Sequence, residues 1–345
     1  MRDIDKFRGC LMGGAAGDAL GYAIEFLSES RIFDKYGENG ITKYSLRNRI
    51  AEISDDTQMT LFTAEGLIVA ARHCKERTRM RIAYYIRQMY RYWYKTQIEK
   101  YSLHKSENRL LNVPELFSPR APGMTCLSAI KEGANGTIEN PINDSKGCGG
   151  VMRVAPIGLC FCDIDAYDYD FSDGLGAAAA AMTHGHELGY IPAAALVHIV
   201  RKVSEKETIT LKEAVNDSIS AMKKKFSNAH YINDFAQLMN KALELAESDI
   251  DDLDAIHQLG EGWVAEETLA IAVYCALKYE DDFDKAIIAS VNHNGDSDST
   301  GAIAGNILGA YIGYNKIPLK YKEHLELHEL ILVIADDLYK AFCEK

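Results

Sequence analysis

The 345 residues carry a formal charge of −12, with 47% hydrophobic and 26% charged side chains, a balance that fits a soluble globular chain with a substantial core. No basic block offsets the acids apart from short runs such as Lys223-Lys224-Lys225, which read as a solvated helix face, so a nucleic-acid partner is excluded. No stretch has the length of an apolar membrane span, the opening MRDIDKFRGC lacks the apolar segment of a signal peptide, and eight cysteines without a CxxC pair read as reduced core thiols; the expectation is cytoplasmic, with no membrane partner.

Residues 3–22 place Ile4, Phe7, Leu11 and Ala15 at helical spacing among Gly9, Gly13, Gly14, Gly17 and Gly21. Glycine weakens an isolated helix, so this density implies that another backbone or a ligand approaches closely. Asp18 lies among those glycines and reads first as a satisfied hydrogen-bond acceptor. Glu25 follows two turns later. Residues 26–53 show no regular period and read as a long loop, which in a compact domain tends to be functional or mobile.

The segment Ser54-Asp55-Asp56-Thr57-Gln58 opens an amphipathic helix that runs to about residue 73, and a second helix follows over 80–93. Its tyrosines, Tyr84 to Tyr94, read as packing and surface aromatics. Residues 96–123 carry Pro114, Pro119 and Pro122 and form an irregular excursion before a short helix with Met124, Leu127 and Ile130. The run Asn143-Asp144-Ser145-Lys146-Gly147-Cys148-Gly149-Gly150 then leads into the helix-like VMRVAPIGLCF. A Gly-rich turn at a helix start can cradle phosphate with backbone N–H groups, and Lys146 and Arg153 would add charge. It lacks the Walker spacing, and the competing reading is a tight connection between packed helices.

An alanine-rich helix ends at Thr183-His184-Gly185-His186. Without a third nitrogen or sulfur ligand nearby, the two histidines suit a polar contact to substrate or a helix cap better than a metal. Three more helices fill 191–248, Asp249 to Asp254 reads as an acidic turn, and helices follow at Thr268 to Leu277, Phe283 to Ser290 and about Leu325 to Phe342. Strand-like alternation is almost absent. The fold class is therefore all-α, taken as a single domain over 1–345.

The stretch Asn292-His293-Asn294-Gly295-Asp296-Ser297-Asp298-Ser299-Thr300-Gly301 places two carboxylates and two hydroxyls at one helix N-terminus. An EF-hand fails, because the twelfth position from Asp296 is Ile307 where a bidentate Glu is required. An acidic helix cap accounts for either cluster alone. Adjacent carboxylates repel unless a cation neutralises them, so Asp55, Asp56, Asp296 and Asp298 are expected to share a charge. With no Cys or His interleaved as zinc would want, the donors suit Mg²⁺ or Mn²⁺.

The sequence GDALGYAIE, then SDDTQ, GCGGVMRVAPIG, a Thr183-His184 step and GDSDSTGAIAG, in that order from about Phe7 to Gly313, resembles the ADP-ribosylglycohydrolase family. The resemblance implies an all-α fold holding two Mg²⁺ or Mn²⁺ ions, with Ser54, Asp55, Asp56, Asp296, Asp298 and Ser299 as ligands and Asp298 bridging. It implies Glu25 on a mobile loop, the segment Ser145-Lys146-Gly147-Cys148-Gly149-Gly150 around the diphosphate and ribose, and His184 in the substrate pocket. Asp55 or Asp56 would act as the base, and Glu25 as a gate or secondary acid. The DSDS wording favours hydrolysis of ADP-ribosylated arginine by a monomer acting on an ADP-ribosylated protein or an ADP-ribose-containing small molecule. The rivals are a hydrolase of serine-linked or O-acetyl-ADP-ribose and a structural, crystallin-like relative.

Overall fold

The computed structural model describes residues 3–161, 167–205 and 209–344. Among them are fifteen α-helices and a few 3-10 turns, with isolated bridges but no strand. In chain order the helices are α1 (Ile4–Tyr22), α2 (Glu29–Tyr36), α3 (Asp55–His73), α4 (Arg79–Ile98), α5 (Met124–Lys131), α6 (Ala155–Leu159), α7 (Tyr169–Ala181) and α8 (Glu187–Ser204). They continue as α9 (Leu211–Lys225), α10 (Ile232–Ala246), α11 (Asp252–Leu259), α12 (Ala265–Lys278), α13 (Phe283–Val291), α14 (Ser297–Ile312) and α15 (His328–Cys343). Buried apolar side chains from Phe7 to Leu338 form one connected core. Among the described residues no helix is long and apolar enough to cross a membrane.

Of the two close neighbours that the glycine density of α1 allowed, a backbone or a ligand, the glycines meet a backbone. Gly9, Gly13, Gly17 and Gly21 lie against Gly309, Gly305, Gly301 and Ser297 of α14 in antiparallel order, and a Cβ at any of the four would collide with a main-chain oxygen. The two helices therefore touch backbone to backbone, and this contact fixes the start of α14 beside the end of α1. Gly313, at φ 86°, ends α14 in a conformation that side chains rarely adopt.

Two readings change. The stretch 26–53 contains α2, a short helix that buries only Ile32. Its start is held by tertiary bonds instead: the Glu29 N–H donates to Asn294 Oδ1 at 2.9 Å, and the Asn294 N–H donates to Glu29 Oε1 at 3.2 Å. The acidic turn after residue 248 is the start of α11, where Asp251 caps by accepting from the Leu253 N–H at 3.0 Å. Acids at that position favour a helix start because they meet its unpaired N–H groups. The cysteines also need correction. Cys10, Cys74, Cys126, Cys148 and Cys275 are free thiols, but Cys343 is disulfide-bonded.

Candidate active site

The site is built where the N-termini of α3 and α14 converge at the end of α1. Asp18, fully buried on α1, accepts from the Ser54 N–H at 2.9 Å, from the Thr57 N–H at 3.1 Å and from the Thr57 hydroxyl. These bonds clamp the first turn of α3 to α1. Burial raises the Asp18 carboxyl to about 6 against the pull of those donors. It is the satisfied acceptor that the sequence indicated, and it positions its neighbours.

Both capping readings hold locally. Ser54 caps α3 by accepting from the Asp56 N–H at 3.1 Å, and Asp296 caps α14 by accepting from the Ser299 N–H at 3.2 Å. Asp298 Oδ1 stands 3.0 Å from the same Ser299 N–H. Capping nevertheless leaves much of the acid chemistry unused. Asp55, Asp56, Asp296 and Asp298 form no ion pair with Lys, Arg or His among the described residues, and Asp56 Oδ2 and Glu25 Oε2 are buried without a hydrogen-bond partner. Such atoms are rare in folded proteins unless something else satisfies them.

These acids line one cleft of about 360 Å³, together with Ser299, Gly147, Cys148, Gly149 and His184. The Gly123 N–H donates to Asp55 Oδ2 at 3.3 Å, and the Cys148 thiol donates to Asp296 Oδ2 at 2.7 Å. Burial, reinforced by the neighbouring acids, holds Asp55, Asp56 and Asp298 well above the usual carboxylate range and raises Glu25 to about 9. Asp55, Asp56, Asp298 and Glu25 thus resist ionising, the electrostatic signature of a cluster that calls for positive charge.

The donor set fits a hard divalent cation in type: several carboxylates, serine hydroxyls, and an orphaned Asp56 oxygen. Among the described residues no group of three or more His, Cys, Asp or Glu side chains is preassembled to hold a metal ion.

Not every expected residue reaches the cleft. Ser54 is fully buried behind it, while Ser145, Lys146 and Gly150 are absent from its lining. Lys146 pairs with Glu266, and Gly150 packs against Ala180 and Gly189. Arg153, read as added charge for a phosphate, is instead fully buried below the floor. His186 caps α8 by accepting from the Leu188 N–H at 3.0 Å. Phe26, Met124, Thr125, Cys126 and Met152 join the lining without having been singled out, and Trp263 and the Ala121–Gly123 turn join them. Exposed apolar side chains at a helix start, such as Met124, carry no sequence signal until the facing wall is known. A wider cavity of about 640 Å³ between α4 and α7 is lined by Arg79, Met80, Tyr84 and Arg87 and by none of the convergent acids.

The ADP-ribosylglycohydrolase family model matches residues 1–345. The chain belongs to the ADP-ribosylglycohydrolase family. It is 25% identical to ADP-ribosylhydrolase ARH3 of Gallus gallus, with 99% of this chain and 94% of that protein aligned. It is 26% identical to the ADP-ribosylarginine hydrolase Tri1 of Serratia proteamaculans, with 97% of this chain and 79% of that protein aligned. A solved ADP-ribosylglycohydrolase-related protein complex superposes with a TM-score of 0.60 at 22% identity, covering 98% of each chain, which establishes the shared fold.

Proposed function

We propose that this ADP-ribosylglycohydrolase cleaves the N-glycosidic bond of ADP-ribosylated arginine with two Mg²⁺ or Mn²⁺ ions, as a monomeric single domain. The observation that carries this reading is the meeting of Asp55, Asp56, Asp296, Asp298 and Glu25 in one cleft without a basic partner. The ions would be held by Asp55, Asp56, Asp296 and Asp298 with help from Ser54 and Ser299. Bound there, they would supply positive charge that orients ribose hydroxyls and lowers the pKa of an incoming water.

The chain's own groups do the rest. Asp55, held by the Gly123 N–H, and Asp56, with one oxygen unpartnered, are the candidate bases that take the proton of the attacking water. Glu25, whose carboxyl is pushed up to about 9 in the metal-free chain by burial and then by the neighbouring Asp296 and Asp55, carries an unpartnered oxygen and is the candidate gate or secondary acid of the cleft. The wall formed by Gly147, Cys148 and Gly149 has little side-chain bulk, which allows a diphosphate to approach the backbone closely. The DSDS wording of residues 296–299 leans toward the arginine linkage. The name of the Serratia proteamaculans relative supports the same linkage.

The test is a side-by-side panel of arginine-linked, serine-linked and O-acetyl ADP-ribose substrates with Mg²⁺, with Mn²⁺ and with excess chelator. Release of ADP-ribose from the arginine peptide, abolished by chelator, is the expected outcome. Faster release from another linkage transfers the assignment to that linkage, and no release from any of them favours a structural, crystallin-like role.

A further inference from the structure

Below the cleft floor three polar residues form a chain that ends on His184. Arg153 is fully buried and makes no ion pair with a carboxylate among the described residues. Its guanidinium lies 4.3 Å from the Tyr90 ring centre, with Nη1 against Met59 Sδ at 3.5 Å and Cys126 Sγ at 3.3 Å. Nη2 donates to the Ala179 carbonyl at 3.1 Å and to Thr183 Oγ1 at 2.6 Å.

Proton counting sets the rest of the chain. Arginine only donates, so Thr183 Oγ1 accepts from it, and the threonine keeps one proton of its own to place. Two acceptors are in reach, His184 Nδ1 at 2.8 Å and the Ala180 carbonyl at 3.4 Å. The Ala180 carbonyl already receives the Thr183 and His184 N–H groups, each at 3.0 Å. The hydroxyl proton therefore points to Nδ1, which leaves the ring proton on Nε2. Burial and then the Arg153 charge lower His184 to about 3, so the ring is neutral and carries one proton. Nε2 faces the glycine wall: a Cβ would stand 3.4 Å from it at Gly147 and 3.3 Å from it at Gly149. Side chains at those positions would crowd the ring's approach to the cleft.

We propose that Arg153 and Thr183 are positioning residues that lock His184 in its Nε2–H tautomer, making it a committed hydrogen-bond donor to an oxygen of the ADP-ribosyl group held against Gly147 and Gly149. This rests on the reading of the cleft as an ADP-ribose site. A buried cation two residues away from the substrate thus sets the direction of a neutral hydrogen bond instead of contacting a phosphate.

Two-bond ¹H–¹⁵N spectra of ¹⁵N-histidine-labelled protein report the tautomer directly, with the His184 signal assigned by its loss in His184→Gln. The wild type should show protonated Nε2. Thr183→Val, which keeps the shape and removes the hydroxyl, should lose that tautomer and weaken ADP-ribose binding to the Mg²⁺-loaded protein roughly ten-fold, while Thr183→Ser should stay within about two-fold. Protonated Nδ1 in the wild type, or a Val variant with unchanged tautomer and affinity, overturns the proposal. The wild-type spectrum requires no turnover, and only its assignment depends on a folded His184→Gln. A chain that shows the Nε2–H form and binds ADP-ribose but hydrolyses no linkage would sink the functional reading and leave this one standing.

Discussion

Two groups of acids in this protein differ in what surrounds them. Around α8, His198 bridges Asp173 at 2.9 Å and Asp217 at 3.0 Å, Lys202 pairs with Asp217 at 2.7 Å, and Arg201 reaches Glu205 at 3.6 Å. At the convergence of α3 and α14, four aspartates and Glu25 have no such partners, and two of their oxygens are orphaned. The paired cluster gains its hydrogen bonds within the fold and serves the fold. The unpaired one is held at an electrostatic cost that the proposed cations would relieve.

Four measurements break or sharpen that contrast. Asp55→Asn or Asp298→Asn should lower the rate of ADP-ribose release by about a thousand-fold or more, while the melting temperature holds or rises, because a like charge has been removed. A large loss of stability with the rate retained would make the unpaired acids ordinary caps. His198→Ala should do the opposite. Stranding Asp173 in the interior should cost about 3–5 kcal/mol in denaturant unfolding, with kcat/KM of the folded fraction close to the wild-type value. Mg²⁺ or Mn²⁺ at a hundred times its Kd should stabilise the wild type by about 2.7 kcal/mol in thermal melts and should leave Asp298→Asn nearly unmoved; equal shifts in both proteins would place the ion elsewhere. Ser54→Ala should cost about 1 kcal/mol as a lost cap, and a rate loss far beyond that would reveal Ser54 as a ligand in addition.

The legible part of the site was local. Asp55, Asp56, Asp296 and Asp298 stood out because acids crowd two helix starts, and His184 because it follows an alanine-rich helix end. What escaped notice depended on the opposite wall. Met124 and Thr125 begin a short helix of no special pattern and line the cleft only because the 121–123 turn lays them there. Lys146 looked like a phosphate ligand, yet it reaches Glu266 on α12, far along the chain. Arg153 looked like another, yet its long side chain runs inward to Thr183 and Tyr90. In both cases the residue type was read correctly as cationic, and its direction was set by contacts that no neighbouring residue announces.

The amino-acid sequence alone determined the helical class, through the 3.6-residue period and the near absence of alternation, and its glycine density in α1 implied a close approach by a backbone or a ligand. It also carried the acid pairs, because capping chemistry is local. Only the tertiary structure decided that the neighbour is α14 in antiparallel order, that Asp18 binds α3 to the same end, and that the acids consequently share one cleft. Which distant surfaces meet is set by shape and burial summed over the whole core, and that sum exists only once the chain has packed.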